Sequence, residues 1–200
     1  IPYDAEQIHG ISTALANKEG EALAVVLEKF NTSLAKAKFV VGQNVGFDLN
    51  IMGCEYHRMQ VETPLNSMPV LDTCTETTAS LCQLPGGRGG KFKLPTLTEL
   101  HQKLFDTPFA EAHNATADVE ATTRCFLELL RQGIYTADQL QAAPDYVSQF
   151  QAQNPDRVAP LGLKHINLKK SAAKLVEQTK KQEQNAPPST SEISTELADA

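Results

Sequence analysis

No stretch of this 200-residue chain is apolar for long enough to cross a bilayer, and no basic segment followed by an apolar core opens it. A cytoplasmic protein with no membrane partner is therefore expected. Cysteine is scarce: Cys54, Cys74, Cys82 and Cys125 form no CxxC pair and no zinc-type spacing. Three of them lie in apolar surroundings and read as reduced core thiols. Positive charge is also short, and a net charge of -6 excludes a broad basic surface that coats nucleic acid. An enzyme that handles a nucleic-acid end in a small, metal-filled cleft stays open. The glycine-rich "PGGRGGKFK" lacks the Gly-Lys-Ser/Thr ending of a phosphate loop and reads as a flexible connector, in which Arg88, Lys91 and Lys93 stand where a phosphate backbone could reach them. There is no internal repeat. An initial methionine is missing as well: the chain begins "IPYDAEQIHG", and a fragment of a longer protein is expected.

What is present, 41% hydrophobic and 21% charged residues, is the composition of an ordinary globular protein with one sizeable core. A turn at His9-Gly10 precedes "EALAVVLEKFNTSLAKA", where Ala24, Leu27, Phe30 and Leu34 recur at helical intervals and predict a helix over about Glu21 to Lys36. "KFVVG" reads as a buried strand ended by Gly42, with Asn44 as the N-cap of a helix whose Val45, Leu49, Met52 and Tyr56 share a face. "MPVLDTCT" is a second strand, followed by a helix at "ETTASLCQ". Pro95 is expected to open the next helix, which carries Leu97, Leu100, Leu104 and Phe105. After the turn "HNATAD" comes a helix, "VEATTRCFLELLRQ", with Val119, Thr122, Phe126 and Leu129 as its apolar stripe and Gly133 just past its end. "TADQLQAAPDYVSQFQ" allows one more short helix. Residues 1–153 are read as one domain. Residues 154–200, turning to Lys, Glu, Gln, Pro and Ser, are read as a linker or disordered tail.

Two aspartates stand out. Asp48 sits in the first helical turn after "VVGQN", at the carboxyl end of a strand, where open α/β sheets place their ligands. Asp118 opens the helix after "HNATAD". Either one alone is also explained as a partner of the helix dipole, and His113 alone as a polar loop residue. Together, carboxylates gathered at two helix starts suit hard divalent cations such as magnesium or manganese, with His113 a candidate base for a bound water. Asp72, at the end of the second strand, is expected to hydrogen-bond its own turn, and His57, His101 and His165 to be structural or at the surface.

These residues carry a resemblance. "QNVGFD" resembles the second motif of the DEDDh family of 3'-to-5' exonucleases, and "HNATAD" resembles its third, in which a histidine precedes the last aspartate at this spacing. "AEQIHGIS" is similar to the segment after the first three strands in proofreading exonucleases of the DNA polymerase III epsilon type. The matches run in the family's order from about Ile1 to Gly133. The resemblance implies a ribonuclease H-like α/β fold, helix-rich and N-terminally truncated, without its opening three strands and with a disordered C-terminal tail. It implies Asp48 and Asp118 as ligands of two divalent cations, Mg2+ or Mn2+, and His113 as the general base. His9, Gly10, Asn44 and Phe47 would contact the terminal nucleotide. The implied activity is proofreading removal of nucleotides from a DNA 3' end, with a replicative polymerase subunit or a fused polymerase domain as partner. An RNA-trimming exonuclease, or a non-catalytic domain that binds a polymerase or a nucleic-acid end, are the alternatives. The family's first motif, Asp-x-Glu, has no counterpart in the chain, so the chain as given is expected to be inactive or nearly so.

Overall fold

A computed structural model of the chain describes residues 1–109 and 114–163. The chain divides into two compact units, one that includes Ile1–Gly20 and one that begins at Glu21. The first holds two short helices, α1 (Tyr3–His9) and α2 (Thr13–Glu19), which sequence periodicity misses. Each has only seven residues, too few to show a stripe, and their legible signals are the caps. Gly10, at φ 77°, closes α1 with its N–H on the Glu6 carbonyl, and the Ser12 hydroxyl accepts the Leu15 N–H at 3.0 Å to open α2.

In the second unit, α3 (Leu23–Leu34) leads into strand β1 (Val40–Gly42), the crossover helix α4 (Gly46–Met59) and strand β2 (Val70–Asp72). The strands are parallel, with Val40 opposite Val70, Val41 opposite Leu71 and Gly42 opposite Asp72. Four helices follow: α5 (Glu76–Cys82), α6 (Leu97–Phe105), α7 (Ala115–Arg131) and α8 (Tyr146–Gln153).

Alternation along β1 sends successive side chains to opposite faces, and each face meets its own core. Val40 packs with Leu27, Leu34 and Tyr56 from α3 and α4, whereas Val41 and Leu71 pack with Leu100, Phe105, Cys125 and Leu129 from α6 and α7. Helices therefore cover both faces of the parallel pair, the arrangement such sheets require. On the α3 side, the Tyr56 hydroxyl bonds Asn31 Oδ1 at 2.8 Å and Asn31 Nδ2 donates to the Glu62 carbonyl at 2.8 Å, tying α3, α4 and the following loop together.

Two expectations need correcting here. Helix α6 is opened not by Pro95 but by Thr96, whose hydroxyl accepts the Glu99 N–H while Glu99 accepts the Thr96 N–H at 2.8 Å, a reciprocal capping box. On α7, Val119 is 59% exposed, and the buried line runs instead through Ala117, Ala121, Cys125 and Leu129. The four cysteines are free thiols, and burial pushes that of Cys125 up to about 12, so it is inert.

Buried polar groups on α6 and α7 are all tied. Glu128, with no exposed surface, accepts from Arg131 Nε at 3.0 Å, Gln132 Nε2 at 2.9 Å and the Val158 N–H at 3.0 Å. Arg124 Nε donates to the Val158 carbonyl at 2.9 Å, so the segment after α8 is clamped onto α7. His101 is buried, with Nδ1 2.7 Å from the Thr107 carbonyl and Nε2 3.1 Å from Arg124 Nη1, a pattern that requires the neutral ring.

Burial pushes the His101 pKa down; the Thr107 carbonyl opposes this and the Arg124 charge adds to it. A histidine whose folded value lies below its unfolded one takes up its proton more readily in the unfolded chain, so stability is highest above about pH 6.5 and falls on acidification. Thermal unfolding followed by circular dichroism between pH 7.5 and 5.5 should show a falling Tm, and His101→Gln should flatten that fall. An equal slope in the variant contradicts the assignment.

Candidate active site

The site forms where the two strands end. At Gly42 a Cβ would stand 2.6 Å from the Cβ and Cγ2 of Val45, so only glycine lets the chain fold back there into α4. Gln43 points the other way and donates from Nε2 to the Pro95 carbonyl at 2.8 Å. Asn44 then takes a left-handed conformation, φ 55°, which asparagine tolerates better than most residues.

Asn44 is not the side-chain N-cap expected of it. The N-cap position falls on Val45, which offers no side-chain acceptor. The helix start is satisfied from the neighbouring strand: Asp72 Oδ1 accepts the Asn44 N–H at 2.8 Å and Oδ2 accepts the Val45 N–H at 3.1 Å. Oδ1 also accepts the Cys74 N–H at 2.7 Å, the bond to its own turn that the sequence leads one to expect. Thr73, fully buried, reinforces the closure by donating its N–H to the Gly42 carbonyl at 2.9 Å. Asp72 is thus a positioning residue that reading the sequence misses; its signal is an acid at the strand end in register with the glycine of the partner strand.

With a carboxylate from β2 already serving the start of α4, Asp48 is not needed there. It lies exposed in the first turn of α4 and makes no hydrogen bond or ion pair among the described residues. Beside it Phe47 is 66% exposed, an apolar ring left in the open at the mouth of the strand pair. Asp118 stands in the first turn of α7 and is half-buried. Its helix also has its cap elsewhere, since Asn114 Oδ1 accepts the N–H groups of Thr116 at 3.1 Å and Ala117 at 3.4 Å. Helix α7 packs against β1, and Phe39, just before that strand, meets Phe126 edge-on at 6.3 Å between ring centroids. One strand therefore carries the turn to Asp48 and supports the helix of Asp118.

Among the other expected site residues, His113 lies outside the described residues. His9 and Gly10 belong to the first unit, where His9 Nδ1 accepts the Ile11 N–H at 3.0 Å. His57 is exposed on α4, and His165 lies outside the described residues.

Asp48 and Asp118 are donors of the class that hard divalent cations take. They fit in kind and fall short in number: among the described residues no group of three or more histidine, cysteine, aspartate or glutamate side chains that could hold a metal ion is assembled.

Asp48 follows the carboxyl end of β1, the end at which open α/β sheets bind their ligands. A family model described as exonuclease, of the RNase T type, matches residues 1–126, and the chain belongs to that family of DEDD exonucleases in the ribonuclease H-like superfamily. Membership carries with it a nuclease activity on nucleic acid, and the family generally uses divalent metal ions. No curated protein and no solved structure matches the chain. No helix among the described residues is long and apolar enough to cross a membrane.

The Asp72 clamp is open to measurement. Hydrogen bonds to a charged acceptor contribute about 1.5–3 kcal/mol each, partly recovered by water at a half-buried site. Asp72→Ala should therefore lower the unfolding free energy in urea by about 2–3 kcal/mol, and Asp72→Asn, which keeps one acceptor, by roughly half as much. A loss below about 0.5 kcal/mol, the usual range for an unremarkable surface substitution, contradicts the clamp.

Proposed function

We propose that this domain is a metal-dependent 3'-to-5' exonuclease that removes nucleotides from DNA 3' ends, a single-stranded or frayed primer terminus, in proofreading alongside a replicative polymerase. The observation that carries this reading is the pair of aspartates in the first turns of α4 and α7, neither needed to cap its helix, within a chain of the exonuclease family.

Asp48 and Asp118 hold the cations together with donors outside the described residues. When bound, such cations supply hydroxide near neutral pH and neutralise charge on the leaving oxygen. The exposed Phe47 ring packs on the terminal base, and Asn44, held in its turn by Asp72, borders the sugar. For His9 and Gly10, a contact with the terminal nucleotide is carried over from the resemblance of their motif alone. His113 takes the proton from the water that attacks phosphorus, as the bond from phosphorus to the 3' oxygen of the remaining strand breaks. Residues 1–153, together with the segment at Val158 that is clamped onto α7, form the exonuclease domain, and the rest of residues 154–200 is the tether toward a polymerase.

A second reading, a non-catalytic domain that binds a polymerase or a nucleic-acid end, draws on the absence of a three-ligand metal group among the described residues. The two are separated by incubating the protein that carries this domain with 5'-labelled single-stranded DNA and with RNA, in Mg2+ and in EDTA. Shortening from the 3' end in Mg2+ is expected, with DNA preferred. Asp48→Ala and Asp118→Ala should abolish it, and His113→Ala should slow it by about 10²–10⁴-fold, the usual contribution of a general base. Unchanged trimming in Asp118→Ala or His113→Ala rejects the mechanism. End binding without trimming selects the second reading.

A further inference from the structure

The glycine-rich segment expected to be a flexible connector is a built loop. The Lys93 N–H bonds the Leu84 carbonyl at 2.9 Å and closes it at the base, and the Lys91 N–H bonds the Arg88 carbonyl at 3.3 Å inside it. Its glycines are structural: Gly86, Gly89 and Gly90 have positive φ, and a Cβ at Gly87 would stand 2.2 Å from the Lys91 carbonyl oxygen and 2.5 Å from the Phe92 carbonyl carbon. The backbone is folded that tightly under Phe92, whose ring is 45% exposed.

Between this loop and α5 lies a cleft of about 560 Å3, bordered by Ala79, Ser80, Arg88, Lys91 and Phe92. That is a volume typical of small-molecule sites, about 300–1,000 Å3. In a chain of net charge -6, the run from Arg88 to Lys93, "RGGKFK", has three cations and no acid. Arg88 makes no ion pair or side-chain hydrogen bond among the described residues, which leaves its guanidinium available. Lys91 pairs with Glu76 at the rim, but both side chains are largely exposed, and such a pair exchanges readily for a phosphate. Lys93 is committed to Glu99 at 2.7 Å, the residue that caps α6.

The loop also leads to the site. Two residues beyond Lys93, the Pro95 carbonyl accepts Gln43 Nε2 at 2.8 Å and Cys74 Sγ at 3.5 Å, so the loop is fastened to the turn that precedes Asp48. Three Cα steps of about 3.8 Å hold Phe92 within about 11 Å of that anchor.

We propose that the loop from Leu84 to Lys93 is a second contact for the nucleic-acid strand whose 3' end occupies the site at Asp48: a base upstream of the end stacks on Phe92, and Arg88 and Lys91 bind the adjoining phosphates. An aromatic face flanked by cations is the arrangement that holds single strands without reading their sequence. The identity of the strand rests on the exonuclease reading; the stacking and phosphate contacts do not.

The test is fluorescence anisotropy of the protein that carries this domain with labelled dT12 and rU12 in EDTA, over a range of salt. The wild type should bind, and Arg88→Ala/Lys91→Ala should weaken binding about tenfold and make the salt slope shallower by about 1.4, two contacts at roughly 0.7 each on a single strand. Phe92→Leu should weaken binding about fivefold or more with the slope unchanged, and Phe92→Tyr should restore it. Loss on DNA, on RNA or on both supports the loop contact and names the sugar it accepts. Failure of the wild type to bind, or loop variants that bind like the wild type, overturns it. Trimming in Mg2+ is scored separately. Loop-dependent binding without trimming sinks only the exonuclease reading, and trimming with loop-independent binding sinks only the loop contact.

Discussion

The carboxylate of Asp72 is the constraint on which the site depends. Placed in register with Gly42, it gathers the N–H groups of Asn44, Val45 and Cys74, and so joins the ends of both strands to the start of α4. Three donors left without it would leave the turn free to open, because Asn44 is in a left-handed conformation and Val45 offers no cap. The remaining ties converge on the same place: Thr73 on Gly42, and Gln43 on Pro95. A negative charge at the amino end of α4 is also what the helix dipole favours. Because that charge comes from β2, Asp48 remains open to a ligand.

Much of this order was legible in the sequence. Two short strands with a helix between them followed from "KFVVG" and "MPVLDTCT", as β-branched runs ended by turn residues; that the strands pair in parallel is what the structure adds. Helices α3 and α7 showed their period, and Gly133 past the end of α7 has the positive φ expected of it. Less legible was anything that depends on contact between distant segments. Asp72 looked like a residue bonded to its own turn, and one of its three bonds is that; the other two reach across the sheet to residues 28 and 27 positions away, which no local pattern encodes. Short helices in the first unit escaped because seven residues make barely two turns. Val119 was placed in the apolar stripe of α7 by its type, although a valine close to a helix start is as readily left outside.

For the site itself, sequence motifs carried more than geometry. Asp48 and Asp118 owe their interest to the order in which "QNVGFD" and "HNATAD" occur. In the structure both helix starts receive their caps from other residues. Their shared support is β1, which delivers the turn of one and packs against the helix of the other. A closed, cationic loop fastened to the same turn extends that surface away from the strand ends.

The central claim is that Asp48 and Asp118 serve one metal site, and paramagnetic broadening by Mn2+ tests it most directly. In amide spectra of the isotope-labelled protein, added Mn2+ is predicted to broaden the resonances of Gly46 to Leu49 and of Ala117 to Val119 together, at one concentration, and to spare both regions equally in Asp48→Ala and in Asp118→Ala. Broadening of the two regions at different concentrations, or of either one after the other aspartate is removed, would contradict it.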